Sequence, residues 1–513
     1  MMHAGRSLRL LPVALAGALA AAVAAPLAAQ SLTLDRVGGA LGGTLTLPLQ
    51  GQPNEAYVVV LDIVEQSTLI PSLGVTLDIT DQLAWLSYSV PSFVGVTNGT
   101  GSATPTVGIP NDPFFSSLVF RFQAIAGNNP YRASNLVRLT AQAPGTFVPA
   151  LNQPSVPILG GGTAVAPNNE LLFIGGSGPV AQRYRNRTED WELAGASFGV
   201  GLLGQTTGLA DGRVLFTGGV DLTGQATNAA AIYDPATQTT TTLTMNFARA
   251  GHGASLMGNG RVLVTGGLQA FDLANPLTLL TGIQVTSEIF DPVTNTFAPG
   301  PNMLEARALH TSTTLTNGQV LIAGGISLLP IVNIPTVSAT AYRFNPATNS
   351  FGLPAFFSGS RFLHTAAPLS NGRVLLVGGL TLDFTAFLTS GQITDLVIGT
   401  RTDCQMFQTS AFGFGTFTTA NGMQVGRAGA AVAPLPNGGA LIAGGFQLTL
   451  DIPNSTFVAN ATATADVFAQ SPLGFTPTGS MAAPRLFPTT INLPDGTIMV
   501  VGGGPTDAEI YQR

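Results

Sequence analysis

The stretch Asn259-Gly260-Arg261-Val262-Leu263-Val264-Thr265-Gly266-Gly267 carries the features that decide the fold. Its Asn-Gly pair supplies the positive φ that a two-residue hairpin turn needs. The apolar run that follows has the length and β-branched content of a buried strand, and a pair of glycines ends it. The stretch therefore predicts a tight hairpin whose second strand is buried.

The same pattern recurs seven times along the chain. The glycine pairs stand at 175–176, 218–219, 266–267, 324–325, 378–379, 444–445 and 502–503. An aromatic residue follows each pair, usually with a second one seven positions later: Tyr184 with Trp191, Phe290 with Phe297, Phe344 with Phe351, Phe407 with Phe414, and Phe468 with Phe475. These aromatics predict a third and a fourth strand, and four antiparallel strands in each repeat are typical of a β-propeller blade.

The two ends of the repeat predict how the propeller closes. The chain stops at Ile510-Tyr511-Gln512-Arg513, after the third strand of the seventh repeat. The segment Thr146-Phe147-Val148-Pro149 resembles Thr296-Phe297-Ala298-Pro299, the fourth strand of the third repeat. We therefore predict an all-β fold with a seven-bladed propeller over residues 145–513, in which an N-terminal strand completes the last blade and removes its open edges.

These glycine pairs and the aromatic spacing resemble the kelch family, which includes the propeller of galactose oxidase, although Phe mostly replaces the family's usual Trp. The resemblance implies a kelch-type propeller but does not extend to the copper site of galactose oxidase. That site needs a crosslinked Tyr–Cys pair, a second Tyr and two His. Here Tyr184, Tyr233 and Tyr511 occupy the third-strand aromatic position, and Cys404 also lies on a third strand. We therefore expect no metal and no other cofactor.

Two further segments precede the repeat. Residues 1–29 have the basic start, apolar run and small-residue cleavage point of a signal peptide, so we expect export to the cell exterior, the cell surface or the periplasm. Residues 30–144 lack the repeat but contain strand-like runs at 57–62, 118–123 and 137–140, which predict a small β-sandwich-like module. No later apolar stretch is long enough to predict a membrane span.

Composition excludes some partners. Only 9% of residues are charged, the net charge is −6 and all 20 basic residues are Arg, so no basic stripe is present for nucleic acid. The single cysteine, Cys404, excludes an intrachain disulfide. A surface rich in Thr, Ser, Asn, Gln and Gly suits hydroxyl-rich partners. The expected partner is a protein or a neutral or acidic glycan, and the oligomeric state stays open.

Strand directions place the loops after the glycine pairs on one face of the propeller, together with the start of each first strand. Four of these loops are long: 268–289, 326–343, 380–406 and 446–467. One interpretation is that they form hairpins that pack on each other or on the N-terminal module. The other is that they make a wall around a binding surface, since loops on a rigid scaffold carry recognition.

Five repeats place an arginine at the start of the first strand, and three of them continue as Arg-x-x-His. The residues are Arg249, His252, Arg307, His310, Arg361, His364, Arg427 and Arg485. Such a ring could clamp a carboxylate or a sugar, with Arg as a planar fork and His as donor or base. The alternative is structural: the arginines pair between blades with Glu288, Asp466 and Glu509, which share one position before the third-strand aromatic. A three-histidine zinc site is not expected, because equivalent positions on adjacent strands lie too far apart.

These observations lead to two functional hypotheses. The first is an exported, non-catalytic binding or scaffold protein that contacts a protein or glycan through the long loops. The alternative is a carbohydrate-active enzyme, a metal-free sugar epimerase or lyase, that uses the Arg-x-x-His residues. The two hypotheses differ in whether the three imidazoles are accessible to a ligand or sealed between sheets.

Overall fold

The computed structural model describes residues 31–513 except 156–157, 159–161, 166–170, 175–179, 187–188, 198–201, 222, 271–281, 329–333, 410–414, 452–455 and 505–507. The predicted signal peptide, residues 1–29, and the first glycine pair lie outside the described residues. Nearly all regular structure in the described part of the chain is β-strand in antiparallel sheets, as expected of a β-propeller.

Seven antiparallel sheets carry the repeat, and we number them repeat sheets 1 to 7. Sheet 1 comprises Gly162–Val165, Leu171–Ile174, Val180–Arg185 and Asp190–Ser197; sheet 2 comprises Gln205–Gly208, Val214–Thr217, Ala229–Asp234 and Thr239–Thr244; sheet 3 comprises Gly253–Leu256, Val262–Thr265, Ser287–Asp291 and Thr296–Pro299. Sheet 4 comprises Thr311–Thr314, Val320–Ala323, Thr340–Asn345, Ser350–Phe351 and Ala355–Phe356; sheet 5 comprises Thr365–Pro368, Val374–Val377, Cys404–Thr409 and Gly415–Ala420. Sheet 6 comprises Ala431–Pro434, Ala440–Ala443, Ala465–Gln470 and Leu473–Pro477; sheet 7 comprises Thr489–Asn492, Ile498–Val501, Ala508–Tyr511 and Phe147–Pro149. The second strand of sheets 2 to 7 is buried along its whole length, as the apolar runs predict.

The first strands of the sheets lie side by side around a common axis. Each contacts the first strand of the next sheet, from sheet 1 to sheet 7, and the first strand of sheet 7 contacts that of sheet 1. On the other side of sheet 7, Val148 pairs with Ile510 in antiparallel register, so residues from both ends of the repeat share one sheet.

The hairpin turns differ from the two-residue turns that the sequence predicts. In sheet 3 the N–H of Gly260 donates to the carbonyl of Met257, and the N–H of Met257 donates to the carbonyl of Arg261, which makes a three-residue loop. Only the glycine has a positive φ, +81°, so the loop is a type I turn followed by a left-handed glycine. Asn259 has a different role, because its side-chain oxygen accepts the N–H of Arg261. The same side-chain bond recurs in sheets 2 and 4 to 7.

The glycine pairs join neighbouring sheets. Gly266 and Gly267 both have positive φ, and a Cβ on Gly266 would overlap the carbonyl oxygen of Arg307 in the next repeat. The N–H of Gly267 donates to that same oxygen over 2.8 Å. Equivalent bonds join each described pair to the repeat that follows, including Gly503 to Ile158 at 2.9 Å, which links sheet 7 to the residues ahead of sheet 1. Close backbone approach therefore explains the glycines.

Four of the five predicted aromatic pairs face each other across the third and fourth strands. Their ring centroids are 4.9 to 5.1 Å apart, in Tyr184 with Trp191, Phe290 with Phe297, Phe344 with Phe351, and Phe468 with Phe475. Phe407 packs instead against Phe417, at 5.2 Å, since these two residues are opposite each other in the register of sheet 5. The predicted partner, Phe414, lies outside the described residues.

The long loops form additional hairpins beyond the glycine pairs. Their strands are Arg307–Ala308 with Ile326–Leu328 and Pro335–Val337, Leu380–Asp383 with Val397–Thr400, and Phe446–Asp451 with Thr456–Ala461; the helix Thr385–Ser390 and the 3-10 turn Ile393–Asp395 lie within the second. An apolar cluster that includes Ile326, Leu380 and Phe446 joins these hairpins to one another. Of the two interpretations of the loops, mutual packing is therefore observed for the described residues.

Residues 31–142 form small antiparallel sheets of their own. The strands are Thr33–Leu34, Val37–Gly38, Thr44–Thr46, Leu49–Gln50, Ala56–Asp62, Glu65–Ile70, Val75–Ile79, Val94–Val96, Ser102–Ala103, Thr106–Gly108, Phe120–Gly127, Tyr131–Ala133 and Val137–Leu139, with the helix Ala84–Ser87 and 3-10 turns at Pro91–Phe93 and Pro113–Ser117. The three predicted strand-like runs fall on strands of one sheet. This part of the chain contacts the propeller through Arg36, a buried side chain that forms ion pairs with Glu189 and Asp495. Asp495 belongs to a hairpin turn, so the contact lies on the turn side, away from the long loops.

Candidate functional site

One residue with positive φ lies between the arginine and the histidine of each Arg-x-x-His motif. It is Gly251 in the first motif, Leu309 in the second and Leu363 in the third. Its N–H donates to the carbonyl of the equivalent residue of the preceding repeat, from Leu309 to Gly251 over 2.7 Å and from Leu363 to Leu309 over 3.0 Å. We call these equivalent residues the inner ring, which comprises Leu203, Gly251, Leu309, Leu363, Gly429 and Phe487. The left-handed residue changes the direction of the chain, so the arginine and histidine of one motif have different surroundings.

A cavity of about 340 Å³ lies at the inner ring. We call it the axial cavity; the three imidazoles line it, together with the inner ring and the polar side chains of Gln205 and Thr311. A second cavity of about 240 Å³ adjoins it along the first strands and shares Gln205 and Thr311 with it. No charged side chain lines either cavity among the residues that the structure describes.

The three imidazoles border the axial cavity with little exposed surface: 1% for His252, 7% for His310 and 5% for His364. Burial, and after it the charge of the neighbouring arginine, lowers the pKa of each ring, to about 3 for His310 and well below the ordinary value for the other two. All three rings are therefore neutral at physiological pH. The Nδ1 atoms of His310 and His364 are buried and have no hydrogen-bond partner among the described residues.

Two of the rings are held by buried threonines of the preceding repeat. The Nε2 atom of His252 is 2.9 Å from the hydroxyl of Thr217, and that of His310 is 3.0 Å from the hydroxyl of Thr265. Both threonines are buried and stand immediately before a glycine pair. Neither lines the axial cavity.

His364 has a different partner. Ala323 occupies the position before the glycine pair of sheet 4, so no hydroxyl is available there. The Nε2 atom of His364 is instead 2.8 Å from the hydroxyl of Thr311, which lies directly opposite Ala323 in the sheet. Thr311 lines both cavities, so His364 is the one of the three imidazoles whose hydroxyl partner faces cavity space among the described residues.

The five arginines are buried within their own repeats, away from the axial cavity. Each is at most 1% exposed, and its guanidinium donates to the carbonyl of the first glycine of its own sheet, 17 residues later in the chain. Each also forms an ion pair: Arg249 with Glu288, Arg307 with Glu305, Arg361 with Asp403, Arg427 with Asp466, and Arg485 with Glu509. None of the five lines the axial cavity.

Glu288, Asp466 and Glu509 do pair with motif arginines, but each belongs to the same repeat as its arginine, so the predicted pairing between blades is wrong. Arg307 and Arg361 pair with other carboxylates, Glu305 and Asp403. The structure does not bring the arginines and histidines into one ring, because only the imidazoles reach the axial cavity. Whether these residues bind a ligand remains a prediction.

Neither the threonine partners nor the inner ring was predicted from the sequence. A signal for the first was present, since Thr217 and Thr265 end the second strand of a repeat and the following repeat carries Arg-x-x-His. Thr311 gave no such signal because it does not share that position. The inner-ring residues do not share one residue type, so the sequence does not reveal that Leu309 and Phe487 have a positive φ.

Metal ligands do not gather in the described part of the chain, where no group of three or more His, Cys, Asp or Glu side chains could hold an ion. Cys404 is buried on the third strand of sheet 5, with its sulfur 3.4 Å from the carbonyl oxygen of Asn421. Burial raises the pKa of this thiol to about 12, so it stays protonated.

Comparison with known proteins finds no matching family and no matching curated protein. Among solved structures, a fungal alcohol oxidase of the AA5 family, in complex with copper, matches with a TM-score of 0.52 at 17% identity, over 71% of this chain and 75% of that one. The structure of YjhT matches with a TM-score of 0.45 at 15% identity, over 64% of this chain and 99% of that one, too low to carry an argument. The first match supports the predicted galactose-oxidase-like propeller fold and, at this identity, only the fold.

The prediction of a non-catalytic binding or scaffold protein is wrong by this comparison, because a solved structure with a similar fold is an alcohol oxidase. The alternative hypothesis, a carbohydrate-active enzyme, is the better supported of the two. The three imidazoles that line the axial cavity are the acid–base groups that such an enzyme would use.

Proposed function

We propose that the chain is an exported carbohydrate-active enzyme of the metal-free epimerase or lyase type, with the axial cavity as its active site. The observation that carries this proposal is the set of three neutral imidazoles around a cavity with no charged lining in the described part of the chain. A neutral imidazole accepts a proton from a substrate and returns it elsewhere, which is the acid–base work that epimerisation and elimination require.

A neutral sugar fits this site better than the anionic sugar that an arginine fork would hold. The guanidinium groups are committed to carboxylates and backbone carbonyls of their own repeats, so none is available at the cavity. Gln205 and Thr311 offer hydrogen-bond partners to hydroxyl groups, and the leucines of the inner ring offer apolar surface to the C–H face of a sugar.

Copper chemistry does not fit these residues. The alcohol oxidase with a similar fold is described with copper, but here the one cysteine is a buried, protonated thiol whose sulfur lies against the carbonyl oxygen of Asn421. The imidazole nitrogens at the cavity contact threonine hydroxyls. We derive no redox step for this chain.

The proposal includes the finer architecture. The contact between the first strands of sheets 1 and 7, and the bond from Gly503 to Ile158, support a seven-bladed kelch-type propeller closed by Phe147–Pro149. Residues 30–144 would be a separate β-sandwich-like module, and residues 1–29 a signal peptide for export to the cell exterior, the cell surface or the periplasm. No helix in the described residues has the length and apolar character to cross a bilayer.

The proposal is tested by incubating the protein with a panel of neutral sugars in D₂O and following deuterium incorporation and new sugar signals by NMR. We expect conversion of at least one sugar, and a loss of about 100-fold or more in His310→Ala and His364→Ala. The control is Arg261→Ala, an exposed side chain at a hairpin turn, which should retain wild-type activity. Unfolding curves of all variants separate lost chemistry from lost stability. Absence of any conversion, or full activity in both histidine variants, would overturn the proposal.

A further inference from the structure

The three imidazoles are not equivalent, and the difference has a clear origin in the sequence. In sheets 2 and 3 the residue before the glycine pair is a threonine that holds the imidazole of the next repeat from a buried position. In sheet 4 that residue is Ala323, and the hydroxyl comes from Thr311 on the opposite strand. The hydroxyl that bonds the imidazole of His364 therefore lies on the first strand of its sheet, whereas the hydroxyls that bond the other two imidazoles lie on buried second strands.

This change places a hydroxyl with an imidazole beside cavity space. Thr311 is partly exposed and lines both the axial cavity and its neighbour, while the ring of His364 borders the axial cavity. The separation of 2.8 Å between Thr311 Oγ1 and His364 Nε2 is within the range of a nucleophile and its general base. Thr365 supplies a useful contrast, because it also lines the axial cavity but its hydroxyl donates to the carbonyl of Ala430.

We propose that Thr311 and His364 form a nucleophile–base pair that transfers the acyl group of an uncharged ester. The hydroxyl oxygen of Thr311 attacks the ester carbonyl and its proton passes to Nε2 of His364. The carbon–oxygen bond to the alcohol then breaks, and the alcohol leaves with that proton. Water attacks the acyl-threonine, gives its proton to the same nitrogen, and the carboxylic acid is released as threonine regains its hydrogen.

The site selects the substrate class by size and charge. The two adjoining cavities have volumes of about 340 and 240 Å³, and no described side chain on their walls is charged. A small acyl group on an uncharged alcohol fits, whereas a charged ester would lose its hydration with no counter-ion to replace it. Gln205 lines both cavities and supplies an amide donor for the ester oxygen.

The charged and titratable groups around His364 determine the pH range in which its ring is neutral and can accept a proton. Burial, and after it Arg361, His310 and Arg307, holds the pKa of His364 well below 6.5. The ring accepts a proton only in its neutral form, and a lowered pKa keeps it neutral at mildly acidic pH. Reaction at Thr311 should therefore persist as pH falls from 8 to 5, where a base of ordinary pKa would lose most of its activity.

The test uses the full chain and a fluorophosphonate probe, with mass spectrometry to locate the adduct. We expect one phosphonyl group per chain, on Thr311, and a burst of about one equivalent of p-nitrophenol from p-nitrophenyl acetate. Thr311→Ala should remove the adduct, and His364→Gln should slow its formation by about 100-fold or more. Arg261→Ala, at an exposed hairpin turn outside both cavities, should label at the wild-type rate.

A second variant avoids disturbing the cavity wall. Ala323→Thr restores the threonine that sheets 2 and 3 carry at this position, so His364 can bond to it and leave Thr311 without a base. This variant should fold, since the equivalent threonines are accommodated in two sheets, and it should label at least 10-fold more slowly. Absence of a Thr311 adduct in the folded wild type, or equal labelling in His364→Gln, would overturn the proposal.

This proposal goes beyond the proposed function and does not depend on it. The labelling experiment contains no sugar, and sugar conversion needs no covalent adduct on threonine. Labelling of Thr311 without sugar conversion would support the pair and overturn the epimerase or lyase assignment, and the reverse result would do the opposite.

Discussion

At the residue scale, each of the five motif arginines stabilises its own repeat through a hydrogen bond to the first glycine and an ion pair with a carboxylate. Arg249 shows the arrangement: its guanidinium is fully buried, bonds to the carbonyl of Gly266 and pairs with Glu288 at 3.0 Å. The spacing of 17 residues from arginine to the first glycine recurs in all five repeats. The repeated arginine thus has the same structural role in all five repeats.

Removal of one such arginine should be costly. Arg249→Ala leaves the Glu288 carboxylate buried without its partner, and we expect a loss of about 3–5 kcal/mol in the free energy of unfolding. Arg249→Met with Glu288→Leu removes both charges and should recover part of that loss, because the backbone N–H groups of Asn246 and Phe247 then lose their carboxylate acceptor. Chemical denaturation measures both effects; a single variant within 1 kcal/mol of wild type, on the order expected of a surface change, would contradict the arrangement.

At the element scale, the joint between neighbouring sheets is made by backbone. Each glycine pair that the structure describes donates an N–H to the start of the next repeat, and its first glycine leaves no room for a side chain. The sequence predicted the hairpins, the buried strands and the glycine pairs, because tight turns and buried apolar runs have local signatures. It did not predict the three-residue turn loops, since Asn259 accepts a hydrogen bond there instead of supplying a positive φ.

A substitution at this backbone contact tests whether the glycine is required by the close approach of Arg307 or only by its conformational freedom. Gly266→Ala places a methyl group against the carbonyl of Arg307 at a φ of +59°, so we expect a loss of about 2 kcal/mol or more. Gly208→Ala is the matched control, because a Cβ there meets nothing within 4 Å. Thermal unfolding should show a large drop for the first and little change for the second. Similar melting temperatures for both variants would contradict the joint.

The candidate site shows most clearly what the sequence could not supply. His252, His310 and His364 were identified from one motif, but the direction of their side chains depends on the inner-ring residue between arginine and histidine. A leucine with positive φ is rare and has no sequence signature. The bond between His364 and Thr311 joins residues 53 positions apart and depends on how sheets 4 and 5 lie against each other, which no local pattern encodes.

At the scale of the whole molecule, the contact made by residues 31–142 and the axial cavity lie in different places on the repeat sheets. Residues 31–142 contact the repeat sheets on the turn side through Arg36, whereas the cavity with the imidazoles lies at the inner ring, on the side of the glycine pairs. A larger cavity of about 390 Å³ lies at the contact with the module and includes Arg36 in its lining. Substitutions in residues 31–142 should therefore alter the contact at Arg36 before they alter the axial cavity.

Closure of the propeller provides a prediction at this scale. Deleting residues 145–149 together with the preceding module removes the fourth strand of sheet 7 and leaves Ala508–Tyr511 as an open edge. We expect that protein to unfold at a lower temperature and to aggregate, compared with a version that begins at residue 143. Size-exclusion chromatography and calorimetry measure both; equal stability of the two versions would contradict closure by this strand.

Residues 30–513 contain only three histidines, all at the axial cavity, so one NMR experiment examines the central claim directly. With ¹³C-labelled histidine, the three Cε1–H signals are recorded from pH 8 to pH 5 and then with neutral sugars added. Because burial lowers the pKa of each ring well below its ordinary value, to about 3 for His310, we predict three signals that do not move with pH. At least two of them should shift when a converted sugar is added. Signals that titrate near pH 6.5, or a converted sugar that leaves all three unchanged, would contradict an active site built on these imidazoles.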